Sequence, residues 1–223
     1  MKRIAILFIT SMMAASAGAQ SIIPKPDPAG FGREGKITGD AARRIVDKFA
    51  ACMLGRHRML VLEALALPSG SNEQNEALPK LMNSECLAPG NLHFSAVTFR
   101  GSFYKALVRA RFARKPAPFG LEPTDYLKQP LLAGESPPIP SVAELLNFAS
   151  CVIHKDPGNA RDAIVSAAGS PKEDAAMAEL AKVYGQCLFT DQTFRFSKEI
   201  LLGLLAEAYY REANASAQQS GNP

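Results

Sequence analysis

One stretch of this chain occurs twice, and that duplication limits the fold more than any other feature. Residues 49–52 read FAAC and residues 148–151 read FASC. Gly70-Ser71 returns as Gly169-Ser170, Cys86-Leu87 as Cys187-Leu188, and Phe94-Ser95 as Phe196-Ser197. Gly101, Ala106 and Arg109 return as Gly203, Ala208 and Arg211. The offset is 99 residues at the start and 102 at the end, so short insertions separate the copies. A unit that keeps its cysteines, glycines and helix starts marks positions that a fold requires. It does not by itself mark a reaction.

The first nineteen residues read as a secretory signal. Lys2 and Arg3 are followed by an apolar run from Ile4 to Met13, and Ala17 and Ala19 complete a small-x-small cleavage pattern. Cleavage is expected between Ala19 and Gln20. The apolar run falls short of the roughly 20 residues that span a bilayer, and no later segment is apolar for that long. No integral membrane segment is therefore expected after cleavage, and the expected location is periplasmic or secreted. Removing the signal leaves 23 basic against 21 acidic side chains, a charge of +2. That balance does not fit a nucleic-acid binder, which carries a strongly basic face.

Two cysteines fall in each copy: Cys52 and Cys86, then Cys151 and Cys187. An even number in an exported chain reads as disulfides. Pairing inside each unit survives duplication unchanged, so Cys52–Cys86 and Cys151–Cys187 are expected. Each bridge closes a loop of about 35 residues, worth roughly 3–4 kcal/mol in the chain-entropy account. Zinc and thioredoxin-like sites want C-x-x-C or Cys/His clusters, which are absent.

The pattern predicts an all-α chain of two tandem homologous four-helix units, each stapled by one disulfide and joined by a Pro-rich linker. The expected segments are a flexible lead over 20–39, helical repeat 1 over 40–112, the linker over 113–140, helical repeat 2 over 141–213, and a disordered tail over 214–223. Asp40 and Ser141 are the expected caps of the first helix in each copy. Asp156-Pro157 opens a second helix with a cap and a first-turn proline. Ser71-x-x-Gln74 and Ser170-x-x-Glu173 form capping boxes for a third helix, expected to end near the second cysteine. Phe99, Phe103, Ala106 and Leu107 make a stripe on the fourth helix, matched by Leu201, Leu205, Ala208 and Tyr209. NLHFS and QTFRFS alternate briefly before the fourth helices without amounting to a sheet. Asn214-Ala215-Ser216 matches a glycosylation sequon.

The stretch FASCVIHKDPGNARDAIVSAAGS through GLLAEAYYRE resembles uncharacterised exported proteins of alphaproteobacteria that share this duplicated, cysteine-paired layout. The likeness covers both copies. It implies a bacterial, periplasmic setting and brings no activity with it. The first copy departs from the pattern at RHRML, where the second has HKDPGN, so the turns there are expected to differ.

No catalytic, cofactor or metal motif stands out. His57, His93 and His154 are not spaced as a pair on one helix face, and no histidine is shared between the copies. Serine-nucleophile and phosphate-binding glycine motifs are absent. No catalytic residue, cofactor or metal ligand is assigned. Gly101 and Gly203 sit inside helices at a cost of about 1 kcal/mol each against alanine, which points to close helix packing or a ligand near the backbone. Arg109 and Arg211 suit a helix C-terminus, a local acid or an anion site. The last helix of repeat 1 and its exit carry Arg100, Lys105, Arg109, Arg111, Arg114 and Lys115, where repeat 2 has Glu199, Glu207 and Glu212. An amphipathic reading exposes these bases, with Arg100, Lys105, Arg109 and Arg111 as an anion-binding face. The preferred reading is a periplasmic helical protein with a non-catalytic binding or structural role in the cell envelope. Its partner would be an envelope component or a second copy. The rivals are an enzyme of unfamiliar type with its site between the repeats, and a peripheral binder of acidic envelope lipids through the basic helix.

Overall fold

Two helices, α4 (Ala96–Phe112) and α8 (Lys198–Ser220), have almost no face left for solvent. Every residue from Phe99 to Val108 and from Leu201 to Tyr209 is buried. Their glycines explain how they pair. A Cβ built on Gly101 would lie 2.7 Å from the Gly203 Cα, and one on Gly203 would lie 2.9 Å from the Gly101 Cα. The two backbones cross in contact, an approach that only glycine permits.

Of the remaining helices, α1 (Gly39–Arg56), α3 (Asn72–Lys80), α5 (Pro140–Lys155) and α6 (Pro157–Val165) pack on this pair, while α2 (Arg58–Ala66) packs mainly on α1 and α3, and α7 (Pro171–Cys187) mainly on α5 and α6. The computed structural model describes residues 39–82, 85–86, 95–120, 122–128, 137–188 and 196–220, and among these there are eight helices and no strand. They belong to one compact unit, Ile37–Pro223. The expected signal, its cleavage point and residues 20–38 lie outside the described residues, as do His93 and most of NLHFS and QTFRFS.

Apolar periodicity directs each wrapping helix. Val46, Phe49, Ala50 and Met53 form the buried stripe of α1, and the Phe49 ring stacks on Phe99 at 5.4 Å and meets Phe103 at 6.4 Å. In α5, Leu146, Phe148, Ala149, Val152 and Ile153 do the same, with Phe148 against Tyr184 at 5.8 Å and Phe196 at 6.0 Å.

The turns follow local chemistry. Ser71 Oγ accepts from the Gln74 N–H and Ser170 Oγ from the Glu173 N–H, each at 3.2 Å, which satisfies an orphan amide of the first turn. Gln74 and Glu173 fold back to accept from the N–H groups of Gly70 and Gly169, at 3.1 and 3.0 Å. Both glycines take the left-handed conformation, φ 84° and 72°. Asp156 caps α6, with Pro157 in its first turn, and Ser95 and Ser197 cap α4 and α8. At α5 the cap position belongs to Ile139, and Pro140 opens the helix ahead of Ser141. Proline fixes the helical φ one residue earlier than the expected serine cap. Asp40 lies in the first turn of α1, which begins at Gly39.

Both expected disulfides are present. Cys52–Cys86 ties α1 to the chain beyond α3, and Cys151–Cys187 ties α5 to the last residue of α7. The third helices differ: α7 reaches its cysteine, whereas α3 stops at Lys80. Pro79 lacks an amide to donate, and the chain closes instead through Leu81 N–H to Leu78 O and Met82 N–H to Pro79 O, both 3.0 Å.

Two expectations on flanking segments change. The proline-rich segment is partly built into the core. Tyr126 is buried, and its N–H donates to Asn147 Oδ1 at 2.7 Å. The Thr124 N–H donates to Ser150 Oγ at 2.9 Å, and Phe119 packs edge-on to Tyr209 at 4.7 Å. The segment expected to be a disordered tail continues α8 as far as Ser220, with Ala213 and Asn214 buried. Alanine-rich sequence free of glycine and proline suits helix over 213–220. Burial of Asn214 also withdraws the sequon asparagine from the surface.

Candidate functional site: buried charge networks and an open groove

The residues expected to form a basic face do not form one. Arg100 is 3 % exposed and Lys105 is 0 % exposed. The apolar stripe of α4 meets α1 through Phe99 and Phe103, but the side expected to be exposed is covered by α8. Arg109 is partly buried, donating to the carbonyls of Ile164 at 3.0 Å and Ser166 at 2.7 Å. Arg111 is exposed and hydrogen-bonds Asn214 Oδ1. Only Arg111, Arg114 and Lys115 of the six bases are exposed.

Burial of a charge is tolerable only with partners, and two networks supply them. In the first, Lys105 Nζ lies 2.8 Å from Asp47 and 3.5 Å from Glu199, and Arg109 meets the other Asp47 oxygen at 2.7 Å. Arg43 reaches Glu199 at 2.7 Å and holds Glu173 by two bonds of 3.0 and 2.5 Å. Lys198 adds a contact to Glu173 at 2.8 Å. One chain of charges thus joins α1, α4, α7 and α8. In the second, Glu207 receives Arg100 at 2.8 Å, Arg211 at 3.2 Å and the Ser69 hydroxyl at 2.6 Å. Arg100 also donates to Gln74 Oε1 at 3.2 Å, and the Arg211 guanidinium lies over the Tyr104 ring.

Burial alone raises the Glu173 carboxyl, but Arg43, Lys198 and the Gly169 N–H together outweigh it and hold it at about 2. An acid depressed on folding contributes stability above its unfolded value, near 4.5, and loses it as pH falls toward 2. The depression corresponds to on the order of 3 kcal/mol. Urea midpoints measured from pH 6 to pH 2 should therefore fall steeply below pH 4.5. Glu173→Gln should start lower and show a shallower slope in that window. An unchanged slope would exclude Glu173 as its source.

A third polar group sits where the proline-rich segment docks. Glu212 accepts from Tyr126 OH at 3.4 Å and lies 2.6 Å from His154 Nε2, whose ring meets that of Phe119 at 5.8 Å. Burial, then the Glu212 charge, pushes the Tyr126 phenol well above its ordinary value, so it remains a donor. Beside it runs an open groove of about 440 Å³, lined by Pro116, Phe119, Pro157 and Tyr209 with Asp156, Asn159 and Arg161 at the rim. Those polar groups are occupied: Asp156 caps α6, Arg161 donates to the Phe112 and Ala113 carbonyls, and Tyr209 OH accepts from the Ala117 N–H at 3.2 Å. Among the described residues, no three His, Cys, Asp or Glu side chains are placed to share a metal ion, and no helix is long and apolar enough to cross a membrane. Comparison with protein-family models, with curated proteins and with solved structures returns no match.

Sequence reasoning missed Asp47, Glu173, Glu199 and Glu207 as partners. For Glu199 and Glu207 the signal was there: bases on α4 stand against acids at matching places on α8.

Proposed function

We propose that the chain is an exported cell-envelope protein with a non-catalytic binding or structural role, built from two homologous four-helix units, each closed by one disulfide. The observation that carries this reading is the use of the charged side chains. The ionisable groups of the two networks join helices to one another in the interior. The homology of the units is supported by the matching Ser71 and Ser170 caps, the paired left-handed glycines and the Gly101–Gly203 crossing. It is supported too by the reciprocal seating of the turns: Gly70 lies against Ile139 and Val142 at the start of α5, and Gly169 against Asp40 at the start of α1. The disulfides suit an oxidising compartment.

Expression of the full chain in a bacterial host, followed by osmotic shock and thiol labelling, tests the reading. The expected product is periplasmic, begins at Gln20 and takes up no label before reduction. Deleting residues 1–19 should retain it in the cytosol with four reactive thiols. Cytosolic full-length protein with Met1 intact would overturn the export reading.

A further inference from the structure

Contacts between the two copies come in reciprocal pairs. Gly70 of copy 1 lies against Ile139 at the start of α5, and its counterpart Gly169 lies against Asp40, the counterpart of Ile139, at the start of α1. The Ser69 carbonyl accepts from the Ile139 N–H at 3.1 Å, and the matching Ala168 carbonyl accepts from Arg44 at 2.9 Å. Arg109 of α4 crosses to the Ile164 and Ser166 carbonyls of copy 2, and its counterpart Arg211 of α8 crosses to Ser69 Oγ of copy 1 at 3.0 Å. Gly101 and Gly203 are counterparts that touch each other. In a twofold pair, counterparts meet at the axis and contacts away from it occur twice. That is the isologous pattern of a dimer interface. Each disulfide stays inside one copy, so a break between the copies would leave nothing covalent across it.

The charges break this symmetry. One helical turn beyond the crossing glycine, Lys105 in α4 is matched by Glu207 in α8. Arg100 is matched by Leu202, and Glu199 by Val97. Gln74 stands where copy 2 has Glu173, the carboxylate that holds Arg43. The buried pairs Arg43–Glu173, Arg43–Glu199, Arg100–Glu207 and Lys105–Glu199 therefore all run one way, bases from copy 1 and acids from copy 2. Two units of copy 1 placed face to face would bury those bases without those acids. Two units of copy 2 would bury the acids without the bases. Charge left unpaired in an interior, or set against its own sign, rejects the wrong partner.

We propose that the two copies are each other's partners, an unlike dimer made by one chain. The twofold face of α4 and α8 holds them together without the linker, and the exchange of charge across it bars either copy from pairing with its own kind. The proposal rests on the reading of the chain as two homologous units and adds what each unit binds. The bases of α4, expected to meet an acidic envelope surface, meet the acids of the second copy instead.

A protease site inserted between Lys115 and Pro116, in the protein from Gln20 onward, tests this. Lys115 is exposed, and a cut there leaves Phe119 and Tyr126 with copy 2, on which they pack. The cut protein should still run as one species of the intact mass in gel filtration at micromolar concentration. Unfolded in urea with disulfides intact and then diluted, the two pieces should recover a one-to-one complex, and neither piece refolded by itself should dimerise. Glu207→Gln should raise the concentration at which the cut protein separates about a hundredfold. Arg44→Gln, which loses the bond to the Ala168 carbonyl, should raise it about fivefold. Lys182→Gln, whose side chain meets Glu179 in its own helix, should leave it unchanged. Three results would overturn the proposal: pieces that separate at micromolar concentration once cut, like-with-like dimers as abundant as the unlike pair, or a separation indifferent to Glu207→Gln. None of these bears on where the full chain is delivered, so the fractionation result and the export reading would stand.

Discussion

Glu207→Leu is expected to remove about 3–5 kcal/mol of stability, the range for breaking a buried charge group by deleting one partner. Glu207 is 1 % exposed and is the carboxylate shared by Arg100 and Arg211, which are 3 % and 2 % exposed. Its loss takes from two buried guanidiniums the carboxylate they share, and water cannot reach them without parting α4 from α8. Gln74 still accepts from Arg100 and Ser69 from Arg211, but neither carries charge. The same physics gives the opposite sign for complete removal. An Arg–Glu–Arg group desolvates three ions, and well-packed apolar side chains of similar volume often match or exceed its stability. Glu207→Leu combined with Arg100→Met and Arg211→Met should therefore recover most of the loss, or exceed the native value by about 1–4 kcal/mol. Urea unfolding of the native, single and triple variants with disulfides intact measures both effects. A triple variant as unstable as the single one would show that Glu207 acts through packing rather than as a counter-ion.

How much of this was legible in the sequence depended on the range of the interaction. Ser71, Ser170 and Asp156 bond amides three residues away, so their caps were readable from spacing. The cysteine pairing was readable from the duplication, because each bridge stays inside one copy. Lys105 and Arg100 were not readable in this way. A stripe at helical spacing shows which side of α4 is apolar but not whether the polar side is covered, and Glu199 lies 94 residues from Lys105. Opposite charge on corresponding helices is the available clue, but it fits a solvated surface equally well. Tyr126 was missed for a different reason. Prolines exclude a helix over that segment, but an extended chain need not be an unpacked one: Asn147 and Ser150 supply the partners its amides need. Of the candidate site, the conserved spacing of Gly101 and Gly203 carried the most information. It offered close packing or a ligand, and the fold shows the packing.

That crossing gives the other large effect. Gly101→Leu is expected to cost about 3–5 kcal/mol, combining overpacking with strain on the buried pairs that flank the crossing. The added side chain meets backbone, the Gly203 Cα at 2.7 Å, so no rotamer change can relieve it. The helices must separate, and separation lengthens Arg100–Glu207 and Lys105–Glu199 together. Gly101→Ala sets two opposed terms against each other. Alanine gains about 1 kcal/mol of helix propensity, and overpacking costs about 1–3 kcal/mol. Because the contact is with backbone, the clash should win and leave a net loss of roughly 1–2 kcal/mol. Gly203→Ala should behave alike, its Cβ falling 2.9 Å from the Gly101 Cα. The double alanine variant should lose less than the sum, since either methyl alone opens the gap that the other needs. Gly185 supplies the control. It lies inside α7 with nothing within 4 Å of a built Cβ. Gly185→Ala should therefore raise stability by up to about 1 kcal/mol through propensity alone. The same substitution, glycine to alanine within a helix, is thus expected to change sign between α7 and the α4–α8 crossing. Urea midpoints of the three single variants and the double decide it, and a gain at Gly101 equal to that at Gly185 would mean the helices do not cross at these glycines.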